Sequence, residues 1–140
     1  ICSAGVGLAF AVGQPGVLLK RADGRFHPLA YPLYWPYHGI NLLLLHLWRW
    51  VGRGRAYDEI VPGLYLGRRL VAGDCPTCFS DADSFAVLDL TAEFGECRPL
   101  RSTPHYRCIP LLDTTAPTVE QLEEGTRWIA AQHADRAVYV

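Results

Sequence analysis

Charge is what this sequence has least of. Asp, Glu, Lys and Arg make up 19% of its 140 residues, below the roughly 25% of ordinary globular chains. The shortage is uneven: no such residue falls between Ile1 and Leu19, and none between Phe26 and Trp48. The charges present nearly cancel, with a formal net charge of -1 and a pI near 6.6. That balance argues against a strongly basic nucleic-acid surface, so no nucleic-acid partner is expected. Cysteine is sparse as well. The five cysteines, Cys2, Cys75, Cys78, Cys97 and Cys108, form an odd set without repeating spacing, unlike a disulfide-stapled scaffold, and point to a reducing compartment for the second part of the chain. Methionine is absent and the chain opens on Ile1. It ends inside the apolar run Ala137-Val138-Tyr139-Val140, so the expectation is a fragment of a longer protein.

Two regions with different solvent preference follow from the charge distribution, residues 1–55 and 56–140. In the first, Ile1–Leu19 is apolar, rich in small residues and closed by Lys20 and Arg21. Its length approaches the ~20 residues that cross a bilayer, although Gln14, Pro15 and Gly16 weaken a regular helix. A signal peptide would carry its basic residues before the apolar run, whereas here they come after it. Leu29–Trp48 opens with Tyr31, Pro32, Tyr34, Trp35, Pro36 and Tyr37, continues through Leu42–Leu45, and closes on Trp48, Arg49, Trp50, Arg53 and Arg55. Aromatic residues at both ends with a basic flank match a membrane-interface belt. The expectation is a membrane-associated segment of one or two apolar helices, either crossing, re-entrant or lying on the surface. A buried hairpin is the soluble alternative. If the segment is membrane-bound, the arginines point to a cytoplasmic position for the following domain, an asymmetry weakened by Lys20, Arg21 and Arg25 on the other flank.

From Tyr57 the pattern becomes that of an α/β unit. Ile60–Gly67, punctuated by Pro62 and Gly63, reads as a short strand pair or an edge strand. Phe85–Leu90 is a continuous apolar run, as in a strand covered on both faces. Tyr106–Leu112 is a third strand. Thr118 and Gln121 have capping-box spacing, and Glu120, Glu123 and Glu124 load the first turns of the helix that follows. Val119, Leu122, Thr126, Ile129, Ala130 and His133 recur three or four apart, which predicts the packed face. Ala137–Val140 begins a further strand, so the fold class is α/β with a parallel sheet and a crossover helix. Ligands of such sheets bind beyond the carboxyl ends of the strands.

The ordered set Tyr57–Gly67, Val87–Glu93, Ile109–Thr115, the 118–133 helix and Ala137–Val140 resembles the dual-specificity (cysteine-dependent) phosphatase family, closest to its bacterial and mitochondrial lipid-leaning branch. The lead-in Leu29–Trp50 is more loosely similar to bacterial proteins that join a membrane-embedded phosphatidic-acid-phosphatase-type domain to this one. The resemblance implies that residues 56–140 are the N-terminal part of a phosphatase domain, cut before its catalytic loop. The family's nucleophile is a cysteine followed six residues later by the phosphate-binding arginine, directly after the strand that Ala137–Val140 matches. None of the five cysteines here has an arginine at that spacing, so both residues would lie beyond Val140 and the fragment alone should be inactive. Asp113 falls at the position of the general acid, which protonates the leaving oxygen and later activates water. Without the resemblance it would be a turn aspartate before a helix. The implied activity is phosphoric monoester hydrolysis through a phosphocysteine, with phosphoprotein or phospholipid head group as substrate, and without metal or organic cofactor. The alternative is a non-catalytic pseudophosphatase module tethered to a membrane.

Other residues carry weaker signals. Cys75-Pro-Thr-Cys78 has metal or redox spacing but no second ligand pair. Cys97 and Cys108 read as ordinary, partly buried thiols. Asp89 and Glu93 read as caps of the loop after their strand, and His105 as a loop residue. His133 sits on the apolar side of the helix near its end. Arg98, Arg101 and Arg107 surround a loop, as solvated charge or as a guide for an anionic substrate.

Overall fold

The computed structural model describes residues 2–52, 55–71, 74 and 81–140. The chain is α/β with a five-stranded mixed sheet. Three elements precede the sheet: α1 (Cys2–Val12), a 3-10 turn (Pro15–Leu18) and α2 (Ala30–Val51). The strands are β1 (Tyr57–Val61), β2 (Leu64–Gly67), β3 (Phe85–Thr91), β4 (Tyr106–Leu111) and β5 (Ala137–Tyr139), with α3 (Arg98–Arg101) between β3 and β4 and α4 (Val119–His133) between β4 and β5. In space the order is β1-β2-β5-β3-β4. Only β1 runs antiparallel to its neighbour; β2, β5, β3 and β4 are mutually parallel. The last strand therefore sits in the middle of the sheet, where its own ends are flanked on both sides.

Local chemistry accounts for each of these elements. Pro62 and Gly63 close the β1–β2 hairpin, and Gly63 takes a φ of 83° that favours glycine. Phe85, Ala86, Val87 and Leu88 are all buried, as an apolar run in an inner parallel strand should be. Around Phe85 and Val87 the core gathers Leu70, Leu100 and Tyr139. Thr118 caps α4 in a reciprocal capping box: its side chain accepts from the Gln121 N–H while the Gln121 side chain accepts from the Thr118 N–H. The buried side of α4 differs from the expected one. Val119 and Leu122 are 66% and 53% exposed, and Gly125 is buried instead. A Cβ on Gly125 would lie only 3.7 Å from Leu88 and 3.9 Å from Ile109, so its bare backbone lets the helix settle close to β3 and β4. His133 does stay half-buried, with a ring nitrogen 2.9 Å from the Pro62 carbonyl, fastening the helix end to the hairpin turn.

The uncharged lead-in is helical, as expected, in α1 and α2. No helix among the described residues is long and apolar enough to cross a membrane. In the first stretch α1 stops at Val12, because Gly13 (φ 63°), Gln14 and Pro15 turn the chain into a 3-10 segment. The second is one 22-residue helix, kinked at Tyr34, with Pro36 inside it and His38, Asn41 and His46 interrupting the leucines. The lead-in also packs on the carboxyl-end side of the sheet: Ala9 and Leu18 cluster with Ala92 and Leu112, the residues just after β3 and β4.

A buried ion pair fixes that packing. Lys20 Nζ lies 2.7 Å from Asp89 Oδ2, and both side chains are 1% exposed. Lys20 also donates to the Thr91 carbonyl and hydroxyl, while Asp89 accepts from the Thr91 N–H and the Tyr106 hydroxyl. Asp89 thus anchors an ammonium group as well as capping its loop. Gly24, with φ 75°, makes room beside Tyr106, where a Cβ would overlap the phenol. Its carbonyl accepts the Glu96 N–H at 2.9 Å, so the 20–26 turn is laid directly on the loop after β3.

Candidate functional site

Parallel strands send their carboxyl ends, and the loops after them, to one side of the sheet. There the segment after β2 supplies Arg68 and Arg69, the loop after β3 supplies Glu93 and Phe94, and the loop after β4 supplies Asp113–Thr115. Together with one side of α2 they enclose a cleft of about 730 Å³. Tyr37, Asn41, Leu44, Leu45 and Trp48 of α2 form the facing wall, and Phe10 of α1 closes one corner.

Asp113, the one candidate catalytic residue of the sequence, lies in this cleft and is exposed. Its position is held from below. Its backbone N–H donates to Glu93 Oε1 at 2.8 Å, and its own Oδ1 accepts the Thr114 N–H at 2.9 Å. Thr114 adopts φ 61°, which turns the chain sharply after the aspartate. Glu93, 7% exposed, therefore positions the Asp113 backbone. Facing them, Tyr37 has its phenol pKa pushed above the ordinary value by burial first, with Glu93 and Asp113 adding to the effect and a hydrogen bond from Asn41 opposing it. The phenol stays protonated and can donate a hydrogen bond.

Arg68 and Arg69 were not among the sequence candidates. Arg68 is held by Asp74 at 3.4 Å, which also meets Arg49 of α2 at 2.9 Å. One Arg68 terminal nitrogen, Nη1, is buried without a partner. Arg69 donates Nε to the Gly95 carbonyl at 2.7 Å and lies 6.0 Å from the Phe94 ring centre. Two cations thus stand at the rim of the cleft that holds Asp113, which suits an anionic substrate.

The remaining candidates separate clearly. Arg107 is paired with Glu124 across β4 and α4, away from the cleft. Arg98 and Arg101 border a second hollow on the other side of the Glu93–Gly95 loop. Cys108 is a poor nucleophile, because burial pushes its thiol up to about 11 despite the opposing pull of Lys20. His105 is half-buried and serves the sheet: its carbonyl accepts the Val87 N–H at 3.0 Å. Among the described residues no three His, Cys, Asp or Glu side chains gather as a metal site. Cys75 and Cys78 lie outside the described residues. No family model, no curated protein and no solved structure matches the chain.

Proposed function

We propose that the protein is a phosphoric monoester hydrolase of the dual-specificity phosphatase type, with Asp113 as general acid and a nucleophilic cysteine beyond Val140. The observation that carries this reading is where the two ends of the reaction would meet. Asp113 follows β4 at the carboxyl edge of the sheet, and β5, central and parallel, delivers the chain to the same edge. Val140 is paired there with β2: its carbonyl accepts the Gly67 N–H at 3.0 Å, one residue from Arg68. A loop continuing from Val140 would start one residue from Arg68, beside the cleft that Arg68 and Asp113 line.

In the proposed reaction a cysteine thiolate attacks phosphorus, the P–O ester bond breaks, and Asp113 gives its proton to the departing alkoxide. Water, deprotonated by the Asp113 carboxylate, then splits the phosphocysteine and releases inorganic phosphate. Backbone N–H groups of the loop and its arginine hold the phosphate oxygens. The substrate is a phosphoprotein or a phospholipid head group. The apolar wall formed by Leu44, Leu45 and Trp48 supports the lipid.

The same proposal places the protein at a membrane surface, with this domain on the cytoplasmic side. Its support is the polarity of α2, whose outward face is apolar: Trp35 and Trp50 are 67% and 85% exposed. Tryptophan at that density suits the head-group layer of a bilayer.

Asp113→Asn tests the acid role in a chain that extends past Val140. Hydrolysis of alkyl phosphates should fall about 10²–10⁴-fold, while aryl phosphates with good leaving groups should change far less. Equal losses on both classes would remove Asp113 from the proton transfer.

A further inference from the structure

The second hollow, of about 520 Å³, lies between the 24–26 turn, α2 and the segment from Glu93 to Arg101. Four arginines border it: Arg25 of the 24–26 turn, which lies 4.0 Å from Asp23, and three others, Arg69 from after β2 and Arg98 and Arg101, three residues apart on α3. None of the three is in a salt bridge among the described residues. Arg101 has Nε and Nη1 buried with no hydrogen-bond partner. Buried guanidinium N–H groups without acceptors are costly, and in a native fold they call for an ion or another acceptor.

A second, independent observation comes from α2. His38 also lines this hollow and is only 8% exposed, yet neither ring nitrogen has a partner in hydrogen-bond geometry. Burial pushes its pKa below the ordinary histidine value, and the nearby Glu93 backbone opposes that only in part. The neutral ring keeps one N–H to donate. Two acids, Glu93 and Glu96, also line the hollow and accept from the Asp113 and Cys97 N–H groups, and against them stand four arginines, so the lining charge stays positive.

We infer that this hollow is a phosphate-binding site, taking a doubly charged phosphate group carried either free in solution or on a lipid head group. Phosphate fits better than a carboxylate because three guanidinium forks and an imidazole N–H converge from different elements. A dianion with three or four acceptor oxygens satisfies them together, whereas a carboxylate offers two oxygens and one charge. The site is distinct from the cleft of Asp113, from which the Glu93–Phe94 wall separates it. It does not depend on the hydrolase reading.

The test is an NMR titration of the arginine Nε–H signals of the 140-residue chain with inorganic phosphate, and with acetate at equal ionic strength. Saturable shifts at Arg98 and Arg101 with phosphate alone are the expected result. Arg98→Gln combined with Arg101→Gln should weaken phosphate binding about tenfold or more. Arg127→Gln, on the exposed side of α4, should leave it unchanged. Should the double variant fail to fold, Arg98→Gln alone decides, because Arg98 is exposed; it should still weaken phosphate binding severalfold. Phosphatidylcholine vesicles with and without phosphatidic acid distinguish the source. Binding that follows phosphatidic acid and is lost in the arginine variant assigns a head group, and indifference to it alongside an intact phosphate titration assigns a soluble ligand. Shifts that never saturate, that acetate reproduces, or that survive the arginine substitutions would overturn the site.

Discussion

The two long helices, α2 and α4, treat their apolar residues in opposite ways to what the strands do, and the contrast is greatest in α2. Its inward positions Tyr34, His38, Asn41, Leu45 and Arg49 recur every three or four residues and carry four polar side chains. Its outward positions carry leucine and tryptophan. In β3, by contrast, the apolar residues are inside and the exposed surface is small. The sheet is thus held by hydrophobic burial, whereas the lead-in adds to its small apolar contact with Ala92 and Leu112 a set of specific polar ones: Lys20 to Asp89, Arg49 to Asp74, and the Gly24 carbonyl to Glu96. A region built in this way has an apolar face left over for something other than its own core.

That comparison predicts a hierarchy of effects. The largest belongs to Lys20→Ala, which leaves Asp89 and the Thr91 groups buried without their partner. It should cost about 3–5 kcal/mol in urea unfolding, and a cost near zero would mean that the lead-in is not seated on the sheet. Replacing the pair together, Lys20→Met with Asp89→Leu, should recover much of that loss, since no lone charge stays buried. Next comes Thr118→Ala, which removes the cap of α4 within the sheet unit and should cost about 1 kcal/mol by the same measurement.

Histidine 38 gives a smaller, pH-dependent effect. Its folded pKa is lowered, so the stability that its burial contributes is complete above the unfolded value of about 6.5 and is lost as pH falls through the folded one. Stability should decline as pH falls below about 6.5, and His38→Gln should flatten that slope. An unchanged slope would show that the ring is not buried as described. The smallest effect on folding is expected from Trp50→Ser on the outer face of α2, less than about 0.5 kcal/mol, while binding to phospholipid vesicles should drop sharply. A large loss of stability with unaltered vesicle binding would reverse the assignment of that face.

Much of the sheet unit was legible because its signals are local. The Pro62-Gly63 turn, the apolar run of β3 and the Thr118–Gln121 box each lie within a few residues, and each formed where expected. The packed face of α4 was misjudged because Gly125 carries no hydropathy signal, yet its lack of a side chain decides which side can approach Leu88 and Ile109. The lead-in was harder still. Lys20 stands at the end of an apolar stretch like a membrane flank, and nothing local shows that its partner is Asp89, 69 residues away. In the site, Asp113 was singled out through the family resemblance alone, since its place after a strand reads equally as a turn aspartate. Arg68 and Arg69 were missed because the β1–β2 hairpin reads as an edge, and the parallel pairing of β2 with β5 that puts them at the same cleft leaves no periodicity in the sequence.

The most direct test of the hydrolase account is the sequence encoded immediately after Val140. A cysteine within a few residues, followed six positions later by an arginine, is the predicted result, and it would set a nucleophile and a phosphate cradle beside Asp113. A reading frame that continues without that pair, or that stops there, would contradict the account and leave the domain as a non-catalytic relative.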